Sequence, residues 1–478
     1  MEFLGYIAAA SPFVVAGVAL LWLRWSAARA GAAALAAALA VGLFWPAFDV
    51  GSMPEALLSG MGTVANVLYI LAGGLLLYTV LSRAGAVGEV SDFLSGLEPD
   101  RTGLALLVVL GVAPFFESVT GFGVAVVISA PILLSAGFSP LKAAALSSWG
   151  QLAVPWGALG VGTIIGAELA GVTFRELSNA SALLSLPLFP LYGLAAVALA
   201  GGRSGLYRRG LEAGLLGLAG GVGVLLCSFY LVPELSGAAG GLIVVGAFLV
   251  PRVSALRRVC SERGAPLRAL SPYGFLLGIL VLTNGFPAVE EALLRALGPI
   301  LSGPGTALLA TAAFAAAVFR LRMGSLGMAL RGTFWQWLPV AGAILTFVLA
   351  GQAVASSGAA ALLAGGVAGV LGPAYPAAAP FVGALGGALT GSNAGSNALF
   401  MPFQAEAAAT SGNSVLSLAA LQNVAGSQAN LLAPQRVVLA ASATGLIGKE
   451  AEIVRSIVPP VAVSLMVLVF LGAIQAFV

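Results

Sequence analysis

Of the 478 residues, 60% are hydrophobic and only 8% charged. Water-soluble domains carry about 25% charged residues, so most of this chain lies in a bilayer. There is no histidine, which excludes imidazole proton relays, His-ligated metals and Ser-His catalysis, and the two cysteines, Cys227 and Cys260, fall in different segments and suggest neither a disulfide framework nor a metal site.

The first three spans are read at 4–23, 30–48 and 61–81, each long enough to cross. The segment Glu2 to Leu23 has no basic leader and no convincing cleavage site, so it is read as a retained helix. The net charge of +3 matters less than its distribution. Arg24 and Arg29 form the first basic group, Arg83 and Arg101 the second, and Arg203, Arg208 and Arg209 the third. Arg252, Arg257, Arg258, Arg263 and Arg268 form the fourth, and Arg320, Arg322 and Arg331 the fifth. Basic loops stay in the cytoplasm, which puts all five inside and the N-terminus outside. Short basic loops between spans explain these arginines without nucleic acid.

Thr102 to Phe116 is a short apolar arm, followed by the polar turn Glu117-Ser-Val-Thr120-Gly121-Phe-Gly123 and a second apolar arm. An arm of about a dozen apolar residues reaches only the midplane at 1.5 Å per residue. The stretch 103–137 is therefore expected to be a re-entrant hairpin with its tip at Glu117 to Gly123. The next helix, 141–172, is expected to break at Gly150 to Gly157, because Pro155 removes a backbone donor and crowds the preceding turn. Spans 181–201, 211–232, 237–250, 270–286 and 303–319 follow.

The second half runs in the same order. Span 336–354 corresponds to 61–81, and a second hairpin, 377–412, carries its tip at Thr390-Gly-Ser392-Asn393-Ala-Gly-Ser396-Asn397. A second broken helix, 414–447, is interrupted between Gln422 and Pro434, and 456–477 closes the chain with the C-terminus outside. Span counting makes the second hairpin enter from the opposite face. The expected fold is an all-α polytopic membrane protein of about 12 transmembrane helices plus two re-entrant hairpins in an inverted repeat. Repeat 1 covers 61–201, connecting helices 202–335, and repeat 2 336–478, in one transporter unit.

Irregular backbone survives at membrane depth only where it is buried in protein or lines a cavity, and paired breaks in two halves point to a transport site. Helix ends at such breaks aim N–H groups at a bound anion, which suits a small carboxylate. The candidate binding residues are Ser118, Thr120, Gly121 and Gln151 from the first half. Thr390, Ser392, Asn393, Ser396, Asn397, Asn423, Gln428 and Arg436 come from the second. Each polar one could instead merely satisfy freed backbone groups. Glu117 is the sharpest position. A carboxylate at this depth costs about 2.5–3.5 kcal/mol on insertion scales, and withdrawal from water favours its neutral, proton-carrying form. It is the candidate proton-coupling or gating group, with a structural cap on the second arm as the alternative. Arg436 either receives a carboxylate or snorkels to the interface. Glu406 either pairs with Arg436 or faces solvent.

Three stretches resemble the lactate permease family, bacterial carriers of lactate and glycolate with protons. They are Glu117-Ser-Val-Thr-Gly-Phe-Gly with Gly137-Phe-Ser-Pro-Leu-Lys-Ala-Ala145, then Ser396-Asn-Ala-Leu-Phe400, and Pro434-Gln435 with Ala443-Thr-Gly-Leu-Ile-Gly-Lys-Glu450. The resemblance implies inverted repeats with re-entrant hairpins, elevator-like movement, a multi-pass protein of the inner (cytoplasmic) membrane and no cofactor. It implies a small carboxylate and H+ as partners beside the bilayer, and leaves a homodimer open. The sequence departs from the family at three places: Asn393 replaces an acid, Asn430 a lysine, and Arg436 a small polar residue. With the acid lost, the Ser-Asn pairs 392–393 and 396–397 resemble hairpin tips of sodium-dicarboxylate carriers, so sodium coupling is the alternative. An intramembrane enzyme lacks a coherent nucleophile and base.

Overall fold

A computed structural model describes residues 2–44, 51–98, 100–121, 123–263 and 265–475. Phe122 of the first tip, and the C-terminal ends of spans 30–48 and 456–477, lie outside the described residues. Among the described residues every regular element is helical, the solution that satisfies backbone groups without water. Among the described residues nine helices are long and apolar enough to cross a membrane, or up to eleven if each of two bent pairs is one span. The sequence reading expected about twelve. The protein is thus a multi-pass membrane protein.

The break expected between the spans 181–201 and 211–232 falls at Gly202, where two helices within Leu188–Tyr230 meet at φ +61° and ψ −153°. They fold back on each other, with Gly217 against the Pro190 backbone and Gly193 against the Ala213 carbonyl. Arg209, just after this turn, is held by acids. Arg209 pairs with Asp100 at 2.6 Å and Glu212 at 2.8 Å, and Arg252 pairs with Glu98 at 2.6 Å and Glu212 at 2.7 Å. These pairs draw the loop before the first hairpin and two basic groups to one patch. Arg268 donates to the Val318 carbonyl at 2.8 Å and lies over the Phe319 ring, which connects the fourth group to the fifth. One expected boundary moves, that of the first hairpin arm. It is a continuous helical run, Arg101–Thr120, of 20 residues, buried from Thr102 onward, with a π-helical section at Leu107–Val112. Its length equals a full span, about 30 Å, rather than the half-span expected.

The chain nevertheless turns back on itself. Gly121, at φ +69°, ends the arm, helix Val124–Ser135 returns, and Gly137 comes to rest against the Arg101 guanidinium where the arm began. Helix Pro140–Trp149 then bends by 63° into Val154–Ala170. In the second half, Ala379–Thr390 and Asn393–Ser411 form the corresponding pair, followed by Val415–Ala429, a short 3-10 turn at Asn430–Leu432, and Pro434–Thr444. The two sets pack across each other: Asn393–Ser411 lies on Gly157–Ala170, and Pro434–Thr444 lies on Val124–Ser135.

Close backbone approach holds the second set together. At Gly387 a methyl group would overlap the Gly426 carbonyl of the neighbouring helix. Gly387→Ala is therefore expected to force Ala379–Thr390 off Val415–Ala429, at a cost typical of overpacking, about 1–3 kcal/mol or more. Gly246→Ala, where a methyl group meets open space, is the matched control. Thermal unfolding of the detergent-solubilised protein should drop for the first and hold for the second.

Candidate functional site

The two hairpin tips, the first helix break and the start of Pro434–Thr444 meet around a cavity of about 390 Å³. Its polar rim is built from short local rules. Ser392, extended, caps Asn393–Ser411 by accepting from the Gly395 N–H. Ala433 and Pro434 start the next helix, since proline suits a first turn whose N–H is unpaired anyway. The first turns of both helices, Ser392 to Gly395 and Gln435 to Arg436, line the cavity. Their N-terminal ends make it a favourable setting for negative charge. Opposite them, helix Gly157–Ala170 opens with Ala158, Leu159 and Gly160 all left-handed. Two of these are not glycine, a costly conformation of the kind that clusters at functional sites. Ala158 lines the cavity directly.

Glu117 and Arg436 are the charges of this site. Glu117 is 1% exposed and accepts from the Gly123 N–H through both oxygens, at 3.1 and 3.3 Å. Gly123 is the N-cap of Val124–Ser135, so the capping geometry weighed for this residue is present. The same carboxylate also faces Arg436 Nη1 at 3.5 Å. Arg436 donates from Nη1 to Gln151 Oε1 at 2.7 Å and from Nε to the Gly391 carbonyl at 3.0 Å. One guanidinium therefore touches both tips and the first break. Its side chain is 11% exposed, which rules out snorkelling in this conformation, and its acidic partner is Glu117 rather than Glu406. Neighbouring Gln435 donates to the Thr390 carbonyl.

Of the residues selected from the sequence, Glu117, Gly121, Thr390, Ser392, Asn393 and Arg436 line the cavity, and Gln151 stands behind Arg436. The others lie behind its wall. Ser118 donates to the Trp156 carbonyl and Thr120 to that of Phe116. Ser396 accepts from Gln422 at 3.2 Å, and Gln428 reaches the Leu152 carbonyl at 3.5 Å. Asn423 is a hub. Its Oδ1 accepts from Asn393 at 2.7 Å and Asn397 at 2.8 Å, while its Nδ2 donates to Thr163 at 3.0 Å and Ser181 at 2.8 Å. Asn397 Nδ2 also donates to the Gly162 carbonyl, an acceptor only, which fixes the orientation of the whole set.

Sequence reasoning passed over the apolar wall. Pro339, Val340, Ala343, Ile344 and Phe347 of helix Met323–Ser356 face the charged pair across the cavity, with Leu71 and Leu439. Apolar residues in an apolar helix carry no signal of their own. Gln435, Gly157 and Gly395 also line the cavity, and Gln435 could have been found from its place beside the proline at the second break. Chemically, the site offers one cation, two helix N-termini and a greasy wall, which suits a small anion with an apolar body.

The profile of the L-lactate permease family matches residues 5–298 and 297–478. The chain is 25% identical to the glycolate permease GlcA of Escherichia coli strain K12 and 26% identical to the L-lactate permease of the same strain. Each comparison covers 99% of this chain and 96% of the relative. An L-lactate permease of Streptococcus iniae is 25% identical over 72% of this chain and 77% of its own length. These relatives are permeases, that is, transporters rather than enzymes.

Proposed function

Because this chain belongs to the L-lactate permease family, we propose that it is a secondary active transporter that carries a small monocarboxylate, L-lactate or glycolate, together with protons across the cytoplasmic membrane. The observation that supports this reading is the buried Arg436–Glu117 pair at the meeting point of both hairpin tips. Arg436 is the carboxylate receptor, the N-H groups at the starts of Asn393–Ser411 and Pro434–Thr444 assist it, and Glu117 carries the proton. Gly121, Thr390, Ser392 and Asn393 shape the polar side. Gln151 orients Arg436. Ser118, Thr120, Ser396, Asn397, Asn423 and Gln428 hold the breaks in place around it.

The hairpin-then-broken-helix order occurs twice. Together with the opposed entry deduced from span counting, it supports an inverted repeat with re-entrant hairpins. The five basic groups are cytoplasmic and both termini outside. The tips and breaks form the moving body, and Met323–Ser356 belongs to the wall it slides along, an elevator-type cycle. Sodium coupling is the second reading, favoured by the Ser-Asn pairs at the second tip, whose Asn393 and Asn397 side-chain oxygens are buried without a partner.

Radiolabelled L-lactate and glycolate uptake into proteoliposomes separates the two. Accumulation under an inward proton gradient in sodium-free buffer is expected. Accumulation that requires sodium and ignores the proton gradient would replace the first reading by the second.

A further inference from the structure

We infer that the substrate carboxylate and Glu117 compete for Arg436, so that binding substrate and protonating Glu117 are one event; this rests on the symport reading above. Three features of the geometry carry it. Arg436 holds Glu117 more loosely, at 3.5 Å, than it holds Gln151 at 2.7 Å or the Gly391 carbonyl at 3.0 Å. The two shorter bonds keep the guanidinium aimed at the cavity after Glu117 lets go. Released, Glu117 still keeps the Gly123 N–H, but it is a buried carboxylate without its cation, and such a group is neutralised by taking a proton.

Arg436 is the charged group that faces Glu117. Val124–Ser135 and Ser236–Leu249, packed on its helix, contain no titratable residue. On Gly157–Ala170, Glu168 is exposed at the far end. On Met53–Arg83, Glu55 and Arg83 lie at the two ends, and Tyr69 and Tyr78 are engaged with Thr306 and Ser82. The wall residues of Met323–Ser356 are apolar.

The charge balance then explains obligatory coupling. The empty site holds Glu117 as carboxylate and Arg436 as cation, which sum to zero. The loaded site holds neutral Glu117, Arg436 and the substrate carboxylate, which also sum to zero. One proton enters from the aqueous phase for each carboxylate, and nothing else is consumed. A site with substrate but no proton carries −1, and a site with a proton but no substrate carries +1. Both charged forms are penalised at membrane depth, on the order of 100-fold in population. Only the neutral forms cross, so transport is one-to-one and electroneutral.

The test is proton uptake on binding. Purified protein in weakly buffered detergent is titrated with L-lactate and with glycolate while a pH indicator reads the solution. The expected result is about one proton taken up per carboxylate bound, with affinity weakening as the pH is raised. In Glu117→Gln, expected to bind at least as tightly, both effects should vanish. In proteoliposomes, a membrane potential alone should drive no uptake. Binding without proton uptake, or uptake driven by potential, would overturn the exchange while leaving the carrier reading intact. Binding of neither acid would overturn that reading and the exchange with it. Should Glu117→Gln fail to fold, the wild-type proton count and the potential test decide alone.

Discussion

Arg436→Gln is expected to weaken L-lactate binding by roughly 30-fold or more, since removing one member of a buried, hydrogen-bonded charge pair costs about 2–5 kcal/mol. Two losses combine. The substrate carboxylate has no cation to receive it, and Glu117 is left buried with a single backbone donor. Arg436→Lys should recover only part of the affinity. An ammonium cannot keep the Gln151 and Gly391 contacts and also present a flat face to a carboxylate. The double variant Glu117→Gln, Arg436→Gln should be more stable than Arg436→Gln alone, because no uncompensated charge remains, yet still fail to bind. Equilibrium binding and thermal unfolding on the four proteins check this pattern. Wild-type affinity in Arg436→Gln would remove the residue from the site.

Asn423→Leu should give the largest loss of stability of any single polar substitution near the cavity. The leucine has similar volume but deletes every hydrogen bond of the amide side chain. It strands the Asn393 amide and takes partners from Asn397, Thr163 and Ser181, all buried. At about 1–3 kcal/mol for each buried group left unpaired, the total is on the order of 3–6 kcal/mol. The unfolding midpoint in detergent should fall by many degrees. Serine substitution of Asn413, at the end of Asn393–Ser411 beyond the network and bonded to Ser411, should fall far less. An Asn423→Leu protein as stable as wild type would mean that the amide set carries no structural weight.

The contrast between these two residues shows what the sequence could reveal. Both Asn423 and Arg436 were visible as polar groups in an apolar context, and the breaks at Pro155 and Pro434 located the region where they meet. A polar residue beside a break looks the same whether it faces a cavity or ties two helices together, so Asn397, Asn423 and Gln428 could not be told apart from Asn393 and Ser392. The direction of Arg436 was open for a similar reason, because its long side chain reaches either the interface or the tips. Its actual course is decided by acceptors 285 and 45 residues away, Gln151 and the Gly391 carbonyl. The turn at Gly202 within Leu188–Tyr230 was legible from the arginines that follow it, Arg203, Arg208 and Arg209, but the acids that hold Arg209 were not. Three acids, Glu98, Asp100 and Glu212, supply what water would have supplied to Arg209 and Arg252. The structure places a cation of this chain at the cavity, Arg436, within reach of Glu117.

The most direct test of proton-coupled monocarboxylate transport is to record luminal pH while L-lactate flows inward down its own gradient, with no proton gradient imposed and sodium absent. Proteoliposomes holding the wild-type protein should acidify inside in step with uptake, faster than protein-free liposomes, and those holding Glu117→Gln should not. Rapid L-lactate entry with an unchanged luminal pH would contradict the account, because the carboxylate would then be crossing without its proton.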